Sequence, residues 1–231
     1  MFDYSGTDAM RFSRGFWFLP ILVGLFGGLA LPAVGRAAAV GHGLEQLFGY
    51  RQVPQDNLDF LPQWLSVLER HLIEDVPEGE CSDSFFNRCH LQRWRRFLDS
   101  IRELPPRQQL DAVNSYANQT QYVLDMSNYG QEDYWAVARE FFYNGGDCED
   151  YAITKFFSLQ WLGFPMAEVR IVILQDTNLR TPHAVLAVSQ GADVLIMDNQ
   201  SREVVSHGLI AHYIPLYSVN EQKWWMHLPN I

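Results

Sequence analysis

The chain has 231 residues, of which 48% are hydrophobic, 14% aromatic and 19% charged, so it can bury a core and is not a disordered acidic tail. Its 27 acidic and 17 basic side chains give a formal charge of −10, which argues against nucleic acid and against an anionic membrane surface as partners. Three cysteines without a C-x-x-C pair argue against a disulfide scaffold and against a structural zinc site of the usual kind.

The N-terminal residues 1–39 have the pattern of an export signal. Two arginines precede an apolar run over residues 15–34, and Arg36-Ala37-Ala38-Ala39 then supplies small residues of the kind that signal peptidase accepts. Met10 is an alternative start, because the signal begins there. The alternative to a cleaved signal is a retained membrane anchor, which the prolines and glycines inside the run disfavour.

Cleavage after about Ala39 leaves residues 40–231 as a single domain exported to an oxidising compartment. Cys81 and Cys89 are close in sequence, and we expect them to form a disulfide there. Cys148 is then the odd thiol. The alternative is three unpaired cysteines.

Hydrophobic spacing divides the domain into a helical half and a strand half. Helical spacing extends over Leu61–Leu72, Trp94–Ile101, Leu110–Ala117 and Trp135–Phe142. Short β-rich runs follow at Val169–Leu174, Ala184–Val188 and Val194–Met197, with a weaker run at Glu203–Val205. The pattern predicts an α+β domain in which amphipathic helices pack on an antiparallel meander.

The segment Gly145-Gly146-Asp147-Cys148-Glu149-Asp150-Tyr151-Ala152 carries the densest chemistry. The glycines end one helix and Asp147 can cap the next, which places Cys148 in a first helical turn. Backbone amides and the helix dipole stabilise a thiolate there and can bind an oxyanion. The three adjacent carboxylates raise the thiol pKa instead, so a protonated histidine or a metal ion has to offset them. The alternative is a buried structural cysteine.

A predicted hairpin supplies partners for this cysteine. With Gln190-Gly191 at the centre of the turn, His183 lies directly opposite Asp198 on one face. The carboxylate can then orient an imidazole that deprotonates the thiol, as cysteine hydrolases require. Asn199 is a second candidate for the orienting residue and Asp193 a poorer one. A core histidine is the alternative, and a slip of one residue would separate the pair.

Together these residues resemble a known family. The matching motifs are Gly145–Ala152, Lys155–Leu159, Leu162-Gly163, His183–Leu186 and Asp198-Asn199, with Val113-Asn114, Tyr129-Gly130 and Asp133–Ala136 upstream. In this order they resemble the bacterial transglutaminase-like cysteine proteinases of the LapG family. The resemblance implies a papain-like, transglutaminase-like fold, with a helical N-terminal half packed on an antiparallel sheet.

The resemblance also implies a function. It implies a periplasmic, calcium-dependent endopeptidase that cleaves the N-terminal region of a large surface adhesin, often at a di-alanine, and so releases cells from a biofilm. The family's catalytic residues map onto Cys148, His183 and Asp198. Its Ca²⁺ ligands map onto Asp147, Glu149, Asp150 and Tyr151, the last through its carbonyl.

The resemblance also implies a regulatory partner, and other functions and an alternative to the calcium site stay open. Members of the family are restrained by a LapD-like inner-membrane cyclic-di-GMP receptor that sequesters the protease. A transglutaminase-type acyl transferase would use the same three residues. The two activities differ only in whether water or an amine attacks the thioester intermediate. A non-catalytic binding module on the same fold is the third alternative. For the acidic residues, the alternative to calcium is simple capping of the helix N-terminus.

Overall fold

A computed structural model of the chain describes residues 42–73 and 89–230. The predicted signal peptide, residues 1–39, lies outside these ranges and stays a prediction. Cys89 is disulfide-bonded and Cys148 is a free thiol, while Cys81 lies outside the described residues. No helix within the described ranges combines the length and the hydropathy needed to cross a membrane.

The described residues include six α-helices, which occupy the N-terminal part of the domain. They are α1 (Pro62–Ile73), α2 (His90–Ile101), α3 (Pro106–Ala117), α4 (Asp125–Asn128), α5 (Ala138–Asn144) and α6 (Cys148–Leu162). The first three confirm the predicted helices. Helix α6 is at the centre, since every residue from Glu149 to Leu159 is buried. A helix that is buried on all sides has no solvent-exposed polar face, so its polar residues are buried as well, namely Glu149, Asp150, Thr154, Lys155 and Ser158.

Within the described ranges, seven strands form a single antiparallel sheet. They are β1 (Arg51–Gln55), β2 (Val169–Asp176), β3 (Thr181–Gln190), β4 (Asp193–Met197), β5 (Val205–Ser206), β6 (Tyr213–Val219) and β7 (Trp224–Leu228). Their order across the sheet is β1-β7-β6-β2-β3-β4-β5. The predicted meander is therefore confirmed for β2 to β5, and the chain then returns to the other side of β2 for β6 and β7.

The two faces of the sheet belong to two separate cores. Ile171, Leu186 and Met197 point toward the helices and join the main core around α6. Alternate residues such as Val172 and Val185 point to the opposite face, where they pack with the segment His42–Gly49. The chain is thus an α+β domain with the helical half packed on one face of the sheet.

The β3–β4 hairpin differs from its predicted register. Gln190 pairs with Asp193 and Leu186 with Met197, so the turn is Gly191-Ala192, one residue later than predicted. Gly191 has φ +65°, a conformation that glycine adopts without strain. Moving the turn by one residue shifts the pairing by two. Because side chains alternate with a period of two, such a shift keeps each residue on its predicted face.

Other boundaries also differ from the sequence analysis. The predicted helix Trp135–Phe142 begins only at Ala138, because the Val137 amide donates to the Glu140 side chain (3.1 Å) at the helix start. The weak strand near Glu203 is reduced to Val205–Ser206. Strands β1, β6 and β7 were not predicted.

Candidate active site

The turn before α6 is built on two glycines. Gly145 has φ +76°, and a Cβ there would approach the Gln121 carbonyl oxygen to 2.5 Å. A Cβ on Gly146 would come within 2.2 Å of Asp150 Oδ2. The backbone bonds from Val123 N to Gly146 O (3.0 Å) and from Gly146 N to Gln121 O (3.3 Å) hold the turn against the preceding segment. No larger residue fits either glycine position without displacing this turn.

Asp150 fixes the start of α6. Its Oδ1 accepts from the Ala136 amide (2.6 Å) and its Oδ2 from the Asp147 amide (3.1 Å). The carboxyl group is fully buried, and burial together with the carboxylates of Asp147 and Asp125 raises its pKa well above the ordinary value. Asp150 therefore accepts hydrogen bonds from the backbone at the start of α6 and is also a member of the acidic cluster.

Cys148 is the first residue of α6, as predicted. Burial raises the pKa of its thiol far above the ordinary value, and the carboxylates of Glu149 and Asp147 raise it further. The thiol donates to Glu149 Oε2, with 3.4 Å between sulfur and oxygen. An opposing contribution comes from the Ala184 backbone N–H, whose hydrogen bond to the sulfur lowers the thiol pKa. With the carboxylates alone as neighbours, the thiolate is strongly disfavoured.

Five carboxylates form overlapping groups beside this thiol. Asp125, Asp147 and Asp150 form one group and Asp125, Asp133 and Glu149 another, with ligand atoms within 4.8 Å of one another in each group. Asp125 Oδ1 and Asp147 Oδ1 are buried and have no hydrogen-bond partner. Burial is the main cause that raises the pKa of Asp125 to about 6, and Asp147 and Asp133 add to it. Unpaired carboxylate oxygens at this spacing suit Ca²⁺, which takes six to eight oxygen ligands.

The predicted calcium ligands are thus brought together in part. Asp147, Glu149 and Asp150 lie in the cluster, to which the structure adds Asp125 and Asp133 from the segment before α5. The Tyr151 side chain points elsewhere, since its hydroxyl donates to the Thr120 carbonyl (2.6 Å). A role for the Tyr151 carbonyl stays a prediction.

His183 faces the carboxylate that the sequence analysis assigned to it. Its Nε2 lies 2.9 Å from Asp198 Oδ1, and both side chains are buried. A carboxylate can only accept a hydrogen bond, so Nε2 carries the proton and donates. Nδ1 is then the basic nitrogen, and the Gln200 side-chain amide approaches it at 3.5 Å.

Asp198 is held by a complete set of donors. Tyr213 OH donates to Oδ2 (2.5 Å), and the backbone N–H of Gln200 donates to Oδ1 (2.9 Å). The Asn118 side chain donates to the backbone carbonyl of Asp198 (2.9 Å). Burial by itself raises the pKa of Asp198, but the hydrogen bonds from His183 and Tyr213 outweigh it and lower the pKa below its ordinary value. The carboxylate is therefore ionised at neutral pH.

The other two orienting candidates lie apart from the imidazole. Asn199 lines the same cleft, but its Oδ1 is buried without a hydrogen-bond partner. Asp193 instead accepts from Ser206 OH (2.7 Å) and from the Val194 amide (2.8 Å). The contact to His183 is made by Asp198.

Lys155 is a buried lysine close enough to the site to be affected by the Asp198 charge. Lys155 is on α6, fully buried, and its Nζ has no hydrogen-bond partner. Its ammonium lies 5.8 Å from the centre of the Tyr151 ring. Burial lowers the pKa of Lys155 to about 7, against the opposing effect of the Asp198 charge. Lys155 was recognised from the sequence only as part of a motif, because no local pattern indicates that its ammonium is buried.

One cleft of about 660 Å³ unites these groups. Its wall includes Cys148 and His183 together with carboxylates of the acidic cluster, and apolar side chains complete it, namely Tyr122, Leu124, Leu179 and Pro182. Leu124 and Leu179 are exposed. A thiol at a helix N-terminus, an imidazole with an ionised carboxylate and an adjacent carboxylate cluster together suit nucleophilic acyl chemistry next to a cation.

Comparison with known proteins agrees with this chemistry. Residues 81–230 match the family model of the bacterial transglutaminase-like cysteine proteinases (BTLCP). No curated protein sequence matches the chain.

Solved structures of Legionella pneumophila LapG are similar to the chain. One is 32% identical, with a TM-score of 0.54, and covers 59% of this chain and 77% of that one. An EGTA-treated form gives the same identity and TM-score and covers 59% and 75%. A calcium-bound form is 30% identical, with a TM-score of 0.56, and covers 68% and 84%.

Proposed function

Because the chain belongs to the bacterial transglutaminase-like cysteine proteinases, we propose that it is a periplasmic, calcium-dependent cysteine endopeptidase that cleaves the N-terminal region of a large surface adhesin and so promotes biofilm release. One observation carries the proposal. A free thiol begins a buried helix in the same cleft as an imidazole whose Nε2 donates to an ionised carboxylate.

The three side chains take separate roles. His183 Nδ1 removes the thiol proton, and the Cys148 sulfur attacks the scissile carbonyl carbon. Backbone amides at the start of α6 stabilise the oxyanion that forms. The imidazolium then gives its proton to the leaving amine, and water hydrolyses the thioester to regenerate the thiol. Asp198 holds the Nε2–H tautomer and stabilises the imidazolium.

Calcium is part of this proposal because the carboxylates of Glu149 and Asp147 disfavour the Cys148 thiolate, and a bound cation would offset their charge. Asp125, Asp133, Asp147 and Glu149 would hold the ion, and the buried unpaired oxygens of Asp125 and Asp147 support this assignment. The ion would supply positive charge, which lowers the free energy of a nearby thiolate and of adjacent ionised carboxylates. The calcium-bound form of the similar Legionella protein is consistent with such a site.

The compartment, substrate and regulator rest on the sequence. The signal-like residues 1–39 support export to the periplasm. The resemblance to the LapG family supports an adhesin as substrate and a LapD-like inner-membrane receptor as the protein that sequesters the protease.

The decisive experiment incubates residues 40–231 with the N-terminal segment of an adhesin encoded nearby. We expect new peptide termini in mass spectrometry with Ca²⁺ present and none with EGTA or with Cys148→Ala. A fluorescent primary amine in the same reaction separates the alternatives, since its incorporation into glutamine without new termini would indicate an acyl transferase. Binding without either product would indicate a non-catalytic module and overturn the proposal.

A further inference from the structure

A second cavity is lined by side chains of β1 and β7 and by the start of β2, which β6 separates from β7 in the sheet. It has a volume of about 520 Å³, and its wall includes Arg51, Pro54, Arg170 and Trp225. Arg170 is four residues before Leu174, the partner of His183 in the β2–β3 pairing. At about 3.3 Å per residue, the two positions are about 13 Å apart along β2. The cavity is therefore separate from the cleft around Cys148.

Arg170 is an unusual component of this wall because its charge is almost completely buried. The residue is 8% exposed, and its guanidinium carbon lies 3.5 Å from the centre of the Trp225 ring. One terminal nitrogen donates to Gln52 Oε1, but Nε is buried without an acceptor. Burial lowers the pKa of Arg170 to about 10, although the nearby Glu45 raises it. The guanidinium remains charged at neutral pH and lacks part of its hydrogen-bonding complement.

The neighbouring His227 carries no negative charge that could balance the Arg170 guanidinium. His227 lies two residues after Trp225 on β7 and is buried, and its Nε2 is 2.9 Å from Ser218 Oγ. Its Nδ1 has no hydrogen-bond partner. Burial and the charge of Arg170 lower the pKa of His227 to about 4, so the imidazole is neutral at pH 7. The region thus contains two buried nitrogen atoms without hydrogen-bond partners, Arg170 Nε and His227 Nδ1, and of these two side chains only Arg170 is charged.

The wall defines the chemistry of a ligand. Two arginines, Arg51 and Arg170, stand against one glutamate, Glu45, so the charges favour a monoanion over a dianion such as phosphate. A carboxylate is planar and accepts two hydrogen bonds from a guanidinium. Pro54 and Trp225 offer apolar surface for the group next to it. We propose that this cavity binds the carboxylate of a peptide, flanked by an apolar side chain, as a site separate from the catalytic cleft.

The test uses three short probes on the Cys148→Ala protein, so that peptide cleavage cannot interfere. N-acetyl-alanyl-leucine offers a C-terminal carboxylate, N-acetyl-alanyl-leucinamide offers none, and N-acetyl-glutamyl-leucinamide offers a side-chain carboxylate. Nuclear magnetic resonance follows the indole N–H of Trp225 and the Nε–H of Arg170. We expect saturable shifts with one or both acids and none with the neutral amide. Which acid binds identifies the source of the carboxylate.

Variants connect the binding to Arg170. Arg170→Gln should weaken binding by about tenfold or more, and Arg170→Lys should also weaken it, because lysine keeps the charge but loses the fork geometry. Arg202→Gln removes a surface charge elsewhere and should bind like the parent protein. Thermal unfolding checks each fold, and Arg170→Lys decides the test if Arg170→Gln is unfolded. Equal binding of the neutral amide, unchanged binding in folded Arg170 variants, or no saturable shift with either acid would overturn the proposal.

Discussion

The two walls of the cleft satisfy their polar groups in opposite ways. The strand wall is formed by His183, which lines the cleft, and by Asp198 and Tyr213, which support it without lining the cleft. The Asp198 carboxylate accepts a hydrogen bond on each of its oxygens. The helix wall consists of Asp125 and residues 147–150, where two buried carboxylate oxygens have no partner and the pKa values of the buried acids are raised. Both walls carry negative charge, but the strand wall gives a protein donor to each oxygen of its carboxylate, whereas the helix wall leaves Asp125 Oδ1 and Asp147 Oδ1 without one.

This difference indicates how each wall contributes. A buried polar network that is complete holds its members in one geometry, so the strand wall is ready to orient the imidazole. An incomplete acidic cluster is costly to ionise and gains most from a bound cation. We therefore expect defects in the helix wall to respond to added calcium and defects in the strand wall to be insensitive to it.

Removing the thiol should have the largest effect. Cys148→Ala should abolish cleavage, with a loss of about 10³-fold or more, because no other described group replaces the nucleophile. The melting temperature should change little, since the side chain is small and lies in a first helical turn. Cleavage assays and thermal unfolding measure the two quantities. Cleavage at the parent rate would show that Cys148 is not the nucleophile.

Calcium removal should have the next largest effect, and it tests the helix wall directly. EGTA should silence the enzyme and excess Ca²⁺ should restore it. Asp125→Asn should weaken Ca²⁺ binding in calorimetry and should need more Ca²⁺ for activity, because it removes a charged ligand without changing the shape of the side chain.

Asp111→Asn is the matched control for this prediction. Asp111 is an exposed partner of Arg107 on α3, away from the cluster. This variant should show the parent response to Ca²⁺. Full activity of the parent protein in EGTA, together with no calcium binding in calorimetry, would remove the metal site and leave the cysteine chemistry in place.

Asp198→Asn tests the strand wall. We expect a loss in kcat of about 10²-fold or more, because the amide no longer fixes the tautomer or stabilises the imidazolium. Added Ca²⁺ should not rescue this variant. Asp193→Asn, in the same hairpin, should keep the parent rate. If Asp198→Asn is fully active while Asn199→Ala is impaired, the orienting role belongs to Asn199.

Tyr213→Phe should have a smaller effect on the same wall. It removes one donor from the Asp198 carboxylate, and a hydrogen bond to a charged group contributes about 1.5–3 kcal/mol. We expect a kcat lower by about tenfold and a lower free energy of unfolding in chemical denaturation. Tyr116→Phe, which removes a hydroxyl on α3, should change neither. A Tyr213→Phe variant with parent kcat would show that the remaining partners, among them His183 and the Gln200 backbone N–H, are sufficient to position Asp198.

Lys155→Met should affect stability rather than rate. The pKa of Lys155 is about 7 in the fold, whereas an unfolded lysine titrates near 10.4. Between these values the unfolded chain binds more protons, so the free energy of unfolding rises with pH. From pH 7 to 9 the parent protein should gain about 1–3 kcal/mol relative to Lys155→Met. Lys223→Met, on the surface, should run parallel to the parent, and a parallel Lys155→Met curve would contradict the prediction.

Local patterns were sufficient to predict much of the fold and part of the site. Periodic spacing located α1 to α3 and β2 to β4, and the Gly-Gly-Asp turn placed Cys148 at a helix start. The pairing of His183 with Asp198 was predicted from a register that was wrong by two residues. The prediction survived because a shift of two keeps both side chains on one face.

The remaining parts of the site depend on contacts that no local pattern encodes. Asp125 begins the short helix α4 and Asp133 lies in the irregular segment after it, and both reach the start of α6 only through tertiary packing. Tyr213 lies on β6, a mostly apolar strand that contains Pro215, and a bulge interrupts the pairing of this strand with β2 near Leu174. Strand β7 (Trp224–Leu228) was likewise not predicted.

The pairing of β1 with β7 has a consequence for the order of folding. His183 and Asp198 belong to one hairpin and its immediate continuation, so this contact closes a short loop. Arg51, by contrast, pairs with Leu228, which joins the two ends of the domain. Loop-closure entropy makes such a distant pairing slow compared with a hairpin. The corner of the sheet that contains Trp225 therefore assembles only after the last strand is available, whereas the imidazole and its carboxylate can meet while the C-terminal segment is still unstructured.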